Sequence, residues 1–309
     1  MRLTGGPGVP ESVPAAGLIV RAKLPADAVG ISDHAIRSHF EQDFLSESVA
    51  RQTAGLDSYY LAPRMRDMIP AHQPVLEAGC GSGKWVAWAA ARGWQAIGID
   101  WSSALIQRAQ REVPRARFIQ GDMRKMPLRD ASVGSIISLG AIEHAIEGPE
   151  ASLSEYARIL CSGGAALITV PYLGAVRRAV WALRRHGKYS PIVRRLLNRS
   201  GGRRGLGQLT RLTRPEWVAD FLPTTDGWAF FQYQLDQFTM RRLLSKAGLV
   251  VDEEFLFGPE EGLIATFSSA AGRYDPEQGF VLTAFGRVLH RTLRRGNYEH
   301  MLGYMVHKP

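Results

Sequence analysis

The sequence is poor in cysteine and has no long apolar run. Cys80 and Cys161 are the only cysteines among 309 residues, and neither sits at metal-ligand spacing from other candidate ligands. This argues against a disulfide scaffold or a zinc module, and a reducing cytoplasm is the expected compartment. No apolar stretch approaches the roughly 18–20 residues that a bilayer span requires. The opening MRLTGGPGVPESVP lacks an apolar core ahead of its prolines and makes a poor secretory signal. Negative charge is missing from one region: no acid lies between Glu155 and Glu216.

What is there begins with that same region. Twelve cations fall between 177 and 214: Arg177, Arg178, Arg184, Arg185, Lys188, Arg194, Arg195, Arg199, Arg203, Arg204, Arg211 and Arg214. Without them the net charge of +9 becomes −3, so a mildly acidic body carries one strongly basic segment. At 45% hydrophobic and 22% charged, the chain is rich enough in apolar residues to bury a core. Residues 1–30, with four prolines and five glycines, read as a flexible leader. Helical spacing of Ile36, Phe40, Phe44 and Val49 predicts a helix over 33–53, and a second short one ends near Met68.

From Gln73 to Pro171 short apolar runs alternate with helical patterns. Runs at 75–78, 96–99, 117–119, 133–139 and 165–170 read as strands; 84–92, 103–112 and 149–160 read as helices. The link from 118 to 133 is too short for a full helix and reads as loop. Strands joined by helices require crossovers, so the fold class is α/β with a doubly wound, mostly parallel sheet. A basic insertion follows strand five over 173–230. Then come a helix over 237–247 stopped by Gly248, a strand over 249–257, an amphipathic helix near 278–295 and a final strand over 301–306. The expected organisation is one domain over 31–309, with a helical insertion at 173–230.

Glu77-Ala-Gly79-Cys80-Gly81-Ser-Gly83-Lys84-Trp85 joins the first strand to its helix, the usual ligand position in open α/β sheets. The dinucleotide fingerprint needs its third glycine three residues after the second, and Gly83 comes only two after Gly81. A phosphate-binding P-loop would need glycine at Ala78 and a hydroxyl at Trp85. Four further landmarks follow in order. They are Gly98-Ile-Asp100-Trp101-Ser102, Gln120-Gly121-Asp122-Met123, Ser138-Leu139-Gly140-Ala141-Ile142-Glu143-His144 and Arg158-Ile-Leu-Cys161-Ser-Gly163-Gly164.

Together these five resemble the motifs of class I S-adenosylmethionine-dependent methyltransferases, type 11-like, over about 60–172. The resemblance is looser over 233–257 and 298–308. It implies a Rossmann-like seven-stranded sheet with an antiparallel last strand, and S-adenosylmethionine as cofactor. It places Glu77, Gly79, Cys80, Gly81 and Gly83 at the methionine end, with Cys80 filling space rather than acting as a nucleophile. Asp100 falls at the ribose, and Trp101, Asp122 and Met123 near the adenine, while Leu139 ends strand four beside the cofactor. His144 is the best candidate for a general base, needed if the acceptor is a hydroxyl. The alternative role for Glu143-His144 is to shape the turn or help hold the cofactor. Tyr172, after strand five, borders the acceptor side and is a second catalytic candidate. Relatives with E-x-x-E-H here bind a divalent metal; Gly140 replaces the first Glu, so no metal is expected.

The insertion lies where the family places substrate recognition, so it reads as a lid. Val176, Val180 and Leu183 share a helical face flanked by arginine pairs, with Trp181 beside it, and Ile192–Leu197 repeats the theme. Such a helix can lie on an anionic membrane, which would place the protein at the inner face; packing on the domain is the plainer alternative. Nucleic acid is less favoured, because the segment lacks stacking aromatics. Phe231-Gln-Tyr233, Ala247-Gly248, Glu261-Gly262-Leu263 and His300–Tyr304 loosely resemble bacterial methyltransferases of surface-polysaccharide and secondary-metabolite clusters. The expected acceptor is a hydroxyl of a sugar, a lipid-linked glycan or a small natural product. Competing readings are N- or C-methylation of a small molecule or lipid, RNA methylation, and a non-catalytic binding protein of the same fold; a P-loop nucleotide hydrolase is a distant rival. The acceptor and the oligomeric state follow no motif.

Overall fold

The computed structural model describes residues 37–70, 72–186, 217–224, 227–275 and 278–309. The leader at 1–30, the start of the 33–53 helix, the repeat at 192–197 and the cations from Lys188 to Arg214 lie outside the described residues. The described residues form two compact units. One is drawn from Asp33–Val170, Phe238–Phe255 and Gly303–Pro309, the other from Pro171–Gln237 and Leu256–Leu302.

The first unit is built on a seven-stranded sheet. Its strands are β1 (Val75–Ala78), β2 (Ala96–Asp100), β3 (Arg117–Gln120), β4 (Val133–Leu139), β5 (Leu160–Pro171), β8 (Val250–Phe257) and β11 (Met301–His307). The order across the sheet is β3-β2-β1-β4-β5-β11-β8. Parallel register joins β3 to β2, β2 to β1, β1 to β4 and β4 to β5. The five apolar runs of the sequence are these strands, and β1 and most of β4 are buried on both faces, as a helix-covered parallel sheet demands. β11 runs the other way. Gly163 N–H donates to Lys308 O at 2.8 Å and Lys308 N–H to Gly164 O at 2.9 Å, while Tyr172 N–H donates to His300 O. Beside it β8 is antiparallel too, with His300 N–H on Phe257 O and His307 Nδ1 2.8 Å from Asp252. The seventh strand is therefore antiparallel, as the resemblance implies.

Helices Lys84–Ala90, Ser103–Glu112 and Glu150–Ile159 fall where the pattern places them. Ser102 caps the second, its Oγ accepting Leu105 N–H at 3.2 Å. Trp85, Trp88 and Ala89 pack with Leu61, Met65, Ile69 and Val75 in the core beneath the sheet. Toward the amino end, residues 37–44 are helical and Val49–Thr53 is a separate short helix, so the continuous 33–53 helix is broken by a turn.

In the second unit the insertion opens on a helix, Ala175–His186, as expected. Its far end differs from the helical expectation: β6 (Trp217–Thr224) and β7 (Gly227–Leu235) form an antiparallel hairpin. Asp220 accepts from Gln232 and Gln234 across that hairpin, a polar cluster set among buried Val218, Ala219, Phe230, Tyr233 and Leu235, so both faces are covered and no polar–apolar alternation marks the strands. Val176 packs beside Leu263, Ala271 and Tyr298, and Arg177 is 6% exposed. The start of this helix thus faces its own unit, and Arg177 is not a surface cation. Arg177 donates to Tyr172 O at 2.9 Å and lies 3.4 Å from Thr266 Oγ1 and His300 Nδ1. The expected 278–295 helix is Ala284–Thr292, preceded by a hairpin of β9 (Gly272–Asp275) and β10 (Gly279–Leu282). A helix at Pro259–Phe267 was not expected. Among the described residues no helix is long and apolar enough to cross a membrane.

Candidate functional site

The order β3-β2-β1-β4-β5 reverses direction between β1 and β4, and open α/β sheets hold ligands at the carboxyl ends of their strands beside such a switch point. The glycine loop leaves β1 at that place. Gly79, Gly81 and Gly83 have φ of +74°, +50° and +80°, a backbone path that side-chain-bearing residues resist. Each is also crowded. A β-carbon would fall 2.7 Å from Ala141 Cβ at Gly79, 2.8 Å from the Phe44 ring at Gly81 and 2.8 Å from the Phe118 ring at Gly83.

Asp100, at the end of β2, is tied to this loop. Gly81 N–H donates to its Oδ2 and Ser102 N–H to its Oδ1, both at 2.9 Å. Burial raises its pKa, opposed by those two bonds. A carboxylate oxygen accepts about two hydrogen bonds, so each oxygen keeps a lone pair beyond its backbone donor, which suits a pair of vicinal hydroxyls. Glu77 turns beneath the loop: its Oε2 accepts Val86 N–H in the first turn of the Lys84–Ala90 helix, and burial pushes its pKa up to about 8. Cys80 is buried with Sγ against Gly98, and its thiol pKa is raised, consistent with filling space.

The other expected residues gather at neighbouring strand ends. The Met123 methyl would lie 3.5 Å from a β-carbon on Gly79, and Tyr156 O–H donates to its sulfur at 3.6 Å. Leu139 ends β4, partly buried against the core. Asp122 is committed to Arg124, which meets it through Nε and Nη2 and holds its pKa down against burial. Arg37 stacks over Trp101 with 5.4 Å from guanidinium carbon to ring centroid.

His144 closes a 3-10 turn after β4, its ring edge-on to Phe40 at 4.9 Å. Its Nε2 is 4.0 Å from Glu143 Oε1. Glu143 is 1% exposed, and burial pushes its pKa up to about 8. Tyr172 belongs to the second unit, where its hydroxyl donates to Gly296 O at 3.0 Å.

Four residues of helix 37–44 reach this site, although the sequence marked Phe40 and Phe44 only as a helix face and Arg37 and Glu41 not at all. Arg37 covers Trp101, Phe40 meets His144, Glu41 accepts from Ser102 Oγ and Phe44 lies on Gly81. Their signal was the i, i+4 aromatic pair Phe40–Phe44, stacked at 5.6 Å, which reads equally as an ordinary apolar helix face.

The family model for a methyltransferase domain matches residues 76–168, the span from β1 through most of β5. Residues 76–168 resemble a methyltransferase domain. A Mycolicibacterium smegmatis protein named "Probable S-adenosylmethionine-dependent methyltransferase" is 34% identical over 101 residues, covering 33% of this chain and 39% of that protein. The malonyl-[acyl-carrier protein] O-methyltransferase of Pectobacterium atrosepticum is 31% identical over 103 residues, 33% of this chain and 40% of that one. The chain thus spans about two fifths of the length of these curated relatives. A solved S-adenosylmethionine-dependent methyltransferase of Methanosarcina mazei matches in fold with a TM-score of 0.51 at 13% identity, over 80% of this chain and 97% of that one. The matched span therefore holds the whole glycine loop, Asp100, Asp122, Met123, Leu139 and His144, while Tyr172 lies beyond it.

Proposed function

We propose that the protein transfers a methyl group from S-adenosylmethionine to a hydroxyl oxygen of a small acceptor: a sugar, a lipid-linked glycan or a natural product. The observation that carries this reading is the bond from Gly81 N–H to the Asp100 carboxylate. It locks the glycine loop of β1 to the acid of β2 beside the switch point, inside the matched methyltransferase domain. Bound there, S-adenosylmethionine would supply an electrophilic methyl on a sulfonium.

The chain's own residues do the rest. The open lone pairs of Asp100 accept the ribose hydroxyls, and Trp101 and Met123 offer apolar surface to the adenine, with Asp122 and its partner Arg124 at the rim. The Gly79–Gly83 backbone and Cys80 shape the methionine end, Glu77 fixing the loop from below. His144 takes the acceptor's hydroxyl proton, and holding acceptor and methyl in line is the larger contribution. The similar Pectobacterium protein is by name an O-methyltransferase, which accords with an oxygen acceptor. The activity is placed in the cytoplasm, in keeping with the scarcity of cysteine.

Calorimetry with S-adenosylmethionine, followed by a labelled-methyl screen of glycan, lipid, RNA and small-molecule fractions, tests the reading. Saturable binding and label in an alkali-stable ether on glycan, lipid or small molecule support it. Absence of binding removes the enzyme reading, and label in RNA or on nitrogen removes the hydroxyl acceptor.

A further inference from the structure

The second unit carries a surface that the proposed reaction does not use. Tyr274 and Phe280 stand directly opposite each other on β9 and β10, rings edge-on at 5.2 Å, and are 49% and 39% exposed. The next helix, Ala284–Thr292, turns Gly286 and Leu289 inward, Leu289 packing beside Leu263, Ala271 and Tyr298. It leaves Phe285 and Val288 outside, 49% and 56% exposed. Arg287 and Arg291 are exposed on the same helix, and Arg294 and Arg295 just beyond it. From Gln278 to Tyr298 the sequence holds four arginines and no acid, and exposed Arg273 adds a fifth on the hairpin. Among the described residues the ion pairs of this unit are Arg178 with Asp236, His300 with Glu261 and, on this same helix, His290 with Glu260, while Arg287 donates to Leu282 O and Arg295 lies 3.2 Å from His290 Nε2. Asp275 is the one described acid on the hairpin.

Single exposed apolar residues are ordinary, but four on one hairpin and helix, set among five guanidiniums, are not. We infer that this hairpin–helix surface docks the protein on an anionic lipid bilayer. Phe280, Phe285 and Val288 enter the headgroup boundary, while Arg273, Arg287 and Arg291 meet lipid phosphates. The phenyl rings and the valine bring no hydrogen-bonding group that burial would strand, and Tyr274 can keep its hydroxyl at the wet level. Nucleic acid fits less well, because Tyr274 and Phe280 are packed edge-on against each other and Val288 offers no face for base stacking. The inference needs no particular methyl acceptor.

Sedimentation of the full chain with phosphatidylglycerol-containing vesicles, against pure phosphatidylcholine vesicles, tests it. Binding should require the anionic lipid and weaken at high salt. The basic segment before Arg214 can hold vesicles by charge alone, so the deciding measurement is the Phe280→Ser/Phe285→Ser pair. It should weaken binding at least about tenfold, and Arg287→Glu/Arg291→Glu should do likewise at low salt. Unchanged thermal unfolding and unchanged calorimetry with S-adenosylmethionine serve as fold controls; if the aromatic pair melts early, Val288→Ser carries the same test. No binding by the wild type overturns the inference. So does undiminished binding by the aromatic variant, or an RNA oligonucleotide that displaces the vesicles and is lost with the same substitutions.

Discussion

Replacing Glu143 by glutamine should make stability less dependent on pH, by an amount that the burial of this side chain sets. Glu143 is 1% exposed, its Oε2 has no hydrogen-bond partner among the described residues, and burial raises its pKa from 4.5 to about 8. Between those values the folded protein keeps a proton that the unfolded chain has released. Stability therefore falls by about 1.4 kcal/mol per pH unit across that window. The loss is absent below pH 4.5 and complete above about 8. Glutamine cannot ionise, so the advantage of Glu143→Gln over the wild type should grow with that slope from about pH 5 to pH 8. Glu77, also pushed up to about 8, keeps its own slope in both proteins and cancels from the difference. Urea unfolding at several pH values, followed by tryptophan fluorescence, measures it. Parallel curves would refute the reasoning: Glu143 would then be ionised in the fold.

His144→Ala should lower turnover more than about a hundredfold while calorimetric affinity for S-adenosylmethionine holds; unchanged turnover would sink the base assignment. Gly81→Ala sets a β-carbon 2.8 Å from the Phe44 ring at a φ of +50°. The backbone strain alone is about 1–2 kcal/mol, enough to weaken cofactor binding about tenfold, and wild-type affinity would disprove the loop's role. Gly262→Ala forces a β-carbon to 1.9 Å from Tyr298 O, where the Pro259–Phe267 helix meets the chain entering β11. It should cost about 3 kcal/mol or more, read as a lowered melting midpoint; a stable variant would contradict that packing.

The parallel half of the sheet was legible because two-sided burial leaves nearly continuous apolar runs, as at Val133–Leu139. The glycine loop was legible because its backbone path demands glycine at three alternate positions. The hairpin of β6 and β7 hides for the opposite reason. Asp220 and Gln234 are buried near Arg177 while Ala219, Phe230, Tyr233 and Leu235 are buried too, so no polar–apolar alternation marks the strands. Phe44 gave a helical period but not its partner, since nothing in a local pattern says that a ring will rest on Gly81. Asp122 was expected at the adenine only through the family resemblance, and its commitment to Arg124 two residues on is a matter of rotamers that no motif records.

The position of β11 has a consequence for synthesis. It fills the slot between β5 and β8, pairing Lys308 with Gly163 and Gly164 across some 145 positions of chain. While a ribosome is still making residue 257, β8 has been built but its neighbour has not, and the edge of β5 stands open. Such an edge is a template for pairing with other chains, and contacts of this sequence separation close slowly. The β5–β11 seam of the sheet can close only after residues 301–308 emerge.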